Sequence, residues 1–190
     1  LPSLSEEEVL TFLEKRKGQL EGVCITGGEP LINLNTNFVK KIKKLGYAVK
    51  LDTNGSFPEL LQKYIKAGLV DAVAMDIKSS EEKYAEVVGA RVNLDKIKKS
   101  IKIIASLPEY EFRTTIVPGY HDVAEVKKMR DWLIELTGKD VLKAYYLQGF
   151  VPVKGKMISK AFEHTPSMQE SVLQEMKEAI KGNFEVCEIR

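Results

Sequence analysis

Apolar residues recur along this chain in two alternating patterns. Six stretches place them at three- and four-residue spacing, which predicts amphipathic helices. These stripes begin at Val9, Phe38, Leu60, Leu94, Val126 and Met168. Short apolar or β-branched runs lie between them and predict strands. The runs cover residues 22–26, 48–52, 71–76, 111–116, 143–148 and 184–189.

Residues favoured at helix ends mark several of these boundaries. Ser5 stands three residues before Glu8, the spacing of a capping box at the start of the first helix. Asn93 is placed to cap the helix that begins at Leu94. Pro166 predicts the start of the last helix, because proline is favoured at the first helical position.

Strands that alternate with helices predict a parallel sheet. Three candidate strand ends, Thr26, Asp52 and Asp76, are separated by 26 and 24 residues, about one strand–helix–strand unit each. The near-continuous apolar character of the strands predicts a sheet covered on both faces. No linker-like or low-complexity tract interrupts the series, so we expect a single α/β domain over residues 1–190.

Composition excludes several classes of protein. The chain has 190 residues, 44% of them hydrophobic and 29% charged, with a formal net charge of +2, as in ordinary globular proteins. It has no apolar run of ~18 residues and no signal-peptide pattern, so we expect no membrane partner. Its two cysteines, Cys24 and Cys187, lie far apart, which argues against a disulfide framework and favours the cytoplasm. Both are predicted to be small buried side chains.

The segment Thr26-Gly27-Gly28-Glu29-Pro30 follows the first predicted strand. Adjacent glycines leave backbone groups open to a ligand at close range, because no Cβ stands in the way. The glutamate can accept hydrogen bonds from an ammonium group, and the proline turns the chain out of the sheet. The segment suits an amino acid or a cofactor that contains one.

Polar side chains end the next strands as well. Because ligands meet the carboxyl ends of parallel strands, Asp52, Asp76, Lys78 and Arg113 are expected to converge there as one charge cluster. Two acids and two bases fit a zwitterionic ligand, with or without a bound cation.

Familiar catalytic and phosphate-binding motifs are missing from the sequence. It contains no nucleophile triad pattern, no GxGxxG and no Walker loop. The two histidines, His121 and His164, fall in predicted loops and are expected to be exposed and inert. The chemistry is therefore expected to come from a cofactor.

The ordered segments GGEP, DTNG, DIK and RTTIVPG together resemble the radical S-adenosylmethionine enzymes. Within them the chain is most similar to activases of glycyl-radical enzymes, especially the activating proteins of anaerobic ribonucleoside-triphosphate reductase. The similarity runs from about Ser5 to the C-terminus. It implies an incomplete TIM-type (β/α) barrel with parallel strands, near six in the full protein.

The resemblance also implies roles for individual residues. Gly27, Gly28 and Glu29 correspond to the segment that binds the methionyl ammonium of S-adenosylmethionine. Asp52 and Asp76 resemble the residues for the ribose and a monovalent cation.

Other candidates lie in the same motifs or close to them. Lys78 resembles the residue near the methionyl carboxylate and ribose, assisted by Arg113. Gln148 falls where the adenine environment is expected, and Pro30 and Asn54 complete the cofactor-binding candidates.

The family's CxxxCxxC loop, which ligates a [4Fe–4S] cluster, is absent from this sequence. Cys24 and Cys187 cannot replace three closely spaced thiolates, so this chain is expected to carry no iron–sulfur cluster. The family places that loop before GGEP, so the barrel's first strand and its cysteines are expected before Leu1. The edge beside strand 22–26 is then expected to be exposed.

With that loop, the resemblance implies reductive cleavage of S-adenosylmethionine and hydrogen abstraction from a glycine of a partner enzyme. The implied partners are anaerobic ribonucleoside-triphosphate reductase and an electron donor such as flavodoxin or ferredoxin.

Two alternatives stay open at this point. One is a pyruvate formate-lyase-type activase, because these motifs do not encode the partner. The other is a non-catalytic domain that binds S-adenosylmethionine or a nucleotide. A nucleic-acid partner is not expected, because the lysines of residues 40–44 and 96–99 fall between apolar stripe positions and predict solvated helix faces.

Overall fold

The computed structural model describes residues 3–153, 155 and 160–190. Every strand predicted from the sequence is present, with ends shifted by at most one residue. The strands are β1 (Gly22–Ile25), β2 (Ala48–Thr53), β3 (Ala72–Asp76), β4 (Tyr110–Ile116), β5 (Leu142–Gly149) and β6 (Phe184–Ile189).

The strands form one parallel sheet in the order β1-β2-β3-β4-β5-β6. Each strand pairs with its sequence neighbour in parallel, and no pairing joins β1 to β6 among the described residues. The sheet is therefore open, with β1 and β6 at its edges. The predicted α/β fold with an unclosed barrel of parallel strands is confirmed, whereas the single domain over residues 1–190 stays a prediction.

The predicted helices are also present. They are α1 (Glu6–Lys15), α2 (Thr36–Lys44), α3 (Pro58–Lys66), α5 (Leu94–Ala105), α6 (Val123–Thr137) and α7 (Glu170–Ile180). Ser5 and Glu8 form both bonds of the capping box, and the Asn93 side chain accepts from the Lys96 backbone N–H at 3.2 Å. The sequence missed the five-residue helix α4 (Tyr84–Val88), which is too short to show an apolar stripe.

One helix boundary was predicted wrongly. The last helix does not start at Pro166 but four residues later, after the extended residue Gln169. Met168 precedes it, and its backbone N–H donates to the carbonyl of Phe150 at 2.9 Å. This bond ties the incoming chain to the end of β5.

The two faces of the sheet differ in polarity. Val49, Leu51, Phe112, Tyr145 and Leu147 point to one face and pack in the buried core with the helices. Alternate positions on the same strands carry charged groups, among them Glu111 and Arg113, whose side chains are 12% and 15% exposed, so the second face is polar and not apolar as the sequence predicted. Apolar residues still outnumber the charged ones in each of these strands. The alternation between an apolar and a charged face was therefore not evident from the sequence.

The cysteines also differ from one another. Cys187 on β6 is buried as predicted, whereas Cys24 on edge strand β1 is exposed. In the ranges that the structure covers, no helix combines the length and the apolar character required to cross a bilayer.

Candidate functional site

The predicted residues lie at the carboxyl ends of the strands. These ends form one edge of the sheet, the strand edge, which is distinct from the edge strands β1 and β6. Glu29 follows β1, and Lys78 follows β3 by two residues. Asp52 and Asp76 are at or next to the last positions of β2 and β3, and Asp76 pairs in register with Arg113 of β4. Glu29 and Lys78 therefore lie at the same edge, which a shared site requires.

The glycine pair gives this edge an open stretch of backbone. Gly27 has φ +151°, a conformation that residues with a side chain rarely adopt. A Cβ built on Gly27 or Gly28 meets no protein atom within 4 Å. Pro30 then opens a short 3-10 helix, Pro30–Ile32, which carries the chain away. The pair therefore leaves room for a ligand against the main chain.

Glu29 links this segment to the end of β2. Its carboxylate accepts from the Asn54 backbone N–H at 2.7 Å and from the Thr53 hydroxyl at 3.0 Å. It also accepts from the Leu31 N–H at 3.3 Å. Glu29 therefore has a structural role, which the sequence did not reveal, besides any contact with a ligand.

Asn54 shapes the loop after β2. Its side-chain oxygen accepts from the Ser56 backbone N–H at 2.9 Å. The following residue, Gly55, has φ +79°, and a Cβ there would lie 2.2 Å from the methyl carbon of Met75. The asparagine and the glycine of DTNG therefore form a tight turn that holds the Asn54 N–H against Glu29.

The expected charge cluster is present. The Arg113 guanidinium lies between two carboxylates, 3.0 Å from Asp52 Oδ2 and 3.1 Å from Asp76 Oδ1. The Lys78 ammonium is 3.1 Å from the other oxygen of Asp76. The four side chains thus form one chain of ion pairs, with Lys78 at the more exposed end.

Only 15% of the Arg113 side chain is exposed to solvent. Burial opposes its charge, but Asp76 and Asp52 outweigh that effect and raise the pKa of the guanidinium. The positive charge between the two acids is therefore permanent.

A second ion-pair group lies below this cluster and was not predicted. Glu111, on the same face of β4 as Arg113, binds Lys50 at 2.8 Å and Arg190 at 3.0 Å. The Arg190 guanidinium also lies 3.3 Å from the centre of the Tyr146 ring. Only the strand register, which the sequence does not state, brings these groups together.

The described residues do not support the expected cation site. The Arg113 guanidinium occupies the place between Asp52 and Asp76, so the geometry does not support the monovalent cation expected there. No three Cys, His, Asp or Glu side chains of the described ranges are grouped to hold a metal ion. Cys24 and Cys187 lie on the two opposite edge strands, so they do not fit a [4Fe–4S] cluster.

Cys24 does contact the site. Its thiol donates to Asp52 Oδ1 at 3.4 Å. Partial burial and the nearby Asp52 carboxylate raise the pKa of the thiol, so it is protonated at neutral pH.

Gln148 lies near the end of β5, in register with Thr115 of β4. It is thus at the predicted edge, but no hydrogen bond within the described residues joins it to the Arg113 cluster.

The two histidines differ from each other. His164 is exposed, as predicted. His121 is only 5% exposed, so its prediction as an exposed, inert side chain was wrong. The loop carrying it contacts the segment that follows β3, where the ring nitrogen Nε2 lies 2.9 Å from the Lys78 carbonyl oxygen. No apolar periodicity surrounds His121 in the sequence, so nothing there signalled its burial.

The sequence of this chain is similar to those of known proteins. The profile of the Radical SAM superfamily matches residues 1–133. A Methanocaldococcus jannaschii protein, provisionally named a glycyl-radical enzyme activating enzyme, is 32% identical over 177 residues, which is 90% of this chain and 70% of that protein. A 7-carboxy-7-deazaguanine synthase of Thermococcus kodakarensis is 32% identical over 87 residues, 45% of this chain and 34% of that one.

Solved structures share the fold. A domain of pyruvate-formate lyase-activating enzyme from Bacteroides vulgatus superposes with a TM-score of 0.61 at 20% identity, over 87% of this chain and 98% of that one. TYW1 with a lysine-pyruvate adduct superposes with a TM-score of 0.66 at 16% identity, over 94% and 62%. With the profile match over most of its length and the M. jannaschii relative, this chain belongs to the radical SAM superfamily.

Proposed function

We propose that this chain binds S-adenosylmethionine at the strand edge, as the cofactor-binding domain of an activase for a glycyl-radical enzyme. The observation that carries the proposal is the open Gly27-Gly28 backbone at the same edge as the chain of ion pairs ending in Lys78. This edge offers acceptors for an ammonium group and a cation for a carboxylate. The methionyl part of the cofactor carries both.

The chemistry of the side chains suggests how the cofactor is divided among them. Backbone carbonyls of the glycine pair and the Glu29 carboxylate suit the methionyl ammonium. The Lys78 ammonium suits the methionyl carboxylate, and the carboxylates of Asp52 and Asp76 suit ribose hydroxyls. Arg113 holds both carboxylates in place through its two ion pairs.

Three further residues take supporting roles in this proposal. Asn54 and Pro30 shape the two loops that carry Glu29 and its partners. Gln148 is assigned to the adenine, because its amide can both donate to and accept from the base.

S-adenosylmethionine, when bound, supplies the sulfonium whose reductive cleavage is the radical chemistry of the superfamily. The residues of this chain orient the bound cofactor and keep its charged groups in one position. The described residues do not fit an iron–sulfur cluster.

The partner is proposed from the relatives. The M. jannaschii protein is named for glycyl-radical activation, and the B. vulgatus structure for pyruvate-formate lyase. We propose anaerobic ribonucleoside-triphosphate reductase as the target, because the sequence as a whole most resembles the activating proteins of that enzyme. A pyruvate formate-lyase is equally compatible with the relatives. An electron donor such as flavodoxin or ferredoxin and a cytoplasmic location belong to the same proposal.

Cofactor binding is tested by filling the open space beside Gly28. Gly28→Ala adds a Cβ that touches no protein atom within 4 Å, so the fold should persist. Calorimetric titration should show S-adenosylmethionine binding to the wild type roughly five- to 150-fold more tightly than to the variant, since overpacking costs about 1–3 kcal/mol.

Gly182→Ala is the matched control, because its added Cβ also meets no protein atom within 4 Å and it lies outside this edge. Equal affinity of the wild type and Gly28→Ala would remove the glycine pair from the site. No binding by the folded wild type would refute the proposal.

Activation requires the cluster-binding CxxxCxxC segment that this sequence lacks, so it is tested on a preparation that includes such a segment and whose [4Fe–4S] content has been confirmed. With S-adenosylmethionine, a reductant and each candidate partner, electron paramagnetic resonance should detect a glycyl radical on the reductase. A radical on pyruvate formate-lyase alone would change the target. Cofactor binding without deoxyadenosine or radical would favour the non-catalytic binding domain, which the lack of cluster ligands among the described residues also favours.

A further inference from the structure

His121 bridges two loops at the edge of the sheet. The ring nitrogen Nδ1 accepts from the Val117 backbone N–H at 3.1 Å. The other ring nitrogen, Nε2, lies 2.9 Å from the Lys78 carbonyl oxygen. An amide N–H can only donate and a carbonyl can only accept, so the proton must be on Nε2. The imidazole is therefore neutral, and its tautomer is set by the backbone.

The residues that follow Lys78 are held by a side chain of helix α6. Glu125 of α6 is 2% exposed and accepts from the Ser79 hydroxyl at 2.6 Å and from the Ser80 backbone N–H at 2.8 Å. Lys83 lies 3.7 Å from the other Glu125 oxygen.

The residue before Lys78 is also anchored. The Thr114 hydroxyl donates to the Ile77 carbonyl oxygen at 2.7 Å. Consecutive residues on both sides of Lys78 thus have buried anchors, and His121 supplies the one at Lys78 itself.

We propose that His121, as a neutral imidazole, is a positioning residue that fixes the Lys78 backbone so that the ammonium faces the ligand at the strand edge. The ligand in this statement rests on the proposed binding of S-adenosylmethionine. His121 touches no part of that site other than the Lys78 backbone and acts only through it.

Two substitutions separate the two bonds of the ring. His121→Asn places a carbonyl oxygen near the position of Nδ1, so it can keep the Val117 bond and lose the Lys78 bond. His121→Gln reaches the position of Nε2 with an amide N–H, so it can keep the Lys78 bond. S-adenosylmethionine should bind His121→Asn about three- to tenfold more weakly than wild type, and His121→Gln within about twofold.

A double-mutant cycle tests whether the effect passes through Lys78. In the Lys78→Ala background, His121→Asn should produce no further loss of affinity. Further loss of the same size in that background would show that His121 acts elsewhere and would overturn the proposal.

The pH profile provides a readout that a purely structural role would not move. Protonation of Nδ1 would remove the acceptor of the Val117 N–H. Wild-type affinity should therefore fall as the pH drops below the pKa of the His121 ring, which burial lowers from its usual range. The charged groups facing the ring are Glu125 on α6 and Lys83 before α4. Burial opposes the charge of Glu125, but its hydrogen bonds to Ser79 and Ser80 lower its pKa. His121→Gln should show a flat profile.

Nitrogen-15 resonance of the labelled imidazole should independently report the Nε2–H tautomer. The opposite tautomer would overturn the proposal. Wild-type binding that Lys78→Ala weakens but His121→Asn does not would overturn this proposal alone. Absence of any S-adenosylmethionine binding to the wild type would refute the proposed function and this role with it.

Discussion

Replacement of Glu29 by alanine should weaken the fold and the cofactor site together. The carboxylate joins the loop after β1 to the end of β2 through Asn54 and Thr53, and it also accepts from the Leu31 N–H. Alanine removes every one of these acceptors at once. The Thr53 hydroxyl, which is 3% exposed, has little access to water as a substitute.

The size of the effect follows from these contacts. The 2.7 Å bond from the Asn54 N–H to a charged acceptor contributes about 1.5–3 kcal/mol. The 3.3 Å bond from Leu31 is long and resembles a helix cap, which contributes about 0.5–1 kcal/mol. Glu29 is partly exposed, so water replaces some of this, whereas loss of the bond from the Thr53 hydroxyl acts in the opposite direction. We expect the free energy of unfolding to fall by about 2–4 kcal/mol, or roughly 4–16 °C in Tm.

Glu29→Gln separates stability from binding. Glutamine keeps an oxygen for the Asn54 N–H and an amide group that the Thr53 hydroxyl can accept from, so most of the stability should remain. It loses the charge that pairs with an ammonium, so affinity for S-adenosylmethionine should fall roughly ten- to a hundredfold.

Denaturant unfolding and calorimetric titration measure the two quantities on the same preparations. Glu175→Ala, on the exposed side of α7, is the matched control and should change stability by less than about 0.5 kcal/mol. If Glu29→Ala unfolds at the same denaturant concentration as Glu175→Ala, the carboxylate does not hold the two loops together and the reasoning is wrong.

Three further outcomes are expected. Burial lowers the pKa of His121 below 6.5, so the unfolded chain binds more protons than the folded one below that pH. The free energy of unfolding should therefore fall below pH 6.5 in the wild type but not in His121→Gln, and the same pH dependence in both proteins would contradict this. Burial raises the pKa of Cys187 to about 11, so iodoacetamide should modify exposed Cys24 first and Cys187 only after unfolding, as read by mass spectrometry; early labelling of Cys187 would contradict its burial. Iron analysis of the 190-residue chain should find no cluster, and four irons per chain would show that the ligand set has been misjudged.

Local sequence patterns were enough for the elements and for the edge where the site lies. Glycine, proline and capping residues marked most helix ends, as at Ser5 and Asn93, and polar residues marked the ends of the strands. Pro166 misled, because the bond from Met168 to Phe150 keeps the chain extended until Gln169. At this position, a contact between distant parts of the chain outweighed the preference of proline for the first position of a helix.

What the sequence could not supply was the set of long-range contacts. The Arg113 bridge between Asp52 and Asp76 depends on the register of three strands, and it displaced the expected cation. The burial of His121 depends on how one loop folds against another. The bond between Glu29 and the Asn54 backbone N–H also depends on how two loops meet. The sequence predicted only a ligand contact for Glu29 and did not reveal this structural role.

The central claim is that S-adenosylmethionine binds against the glycine pair after β1. Titration of the cofactor into glycine-¹⁵N-labelled protein tests it directly, because the 13 glycines report from every region of the fold. The amide resonances of Gly27 and Gly28 should shift with saturation, and that of Gly182 should not. Saturable binding that leaves Gly27 and Gly28 unchanged would contradict the account and place the cofactor elsewhere.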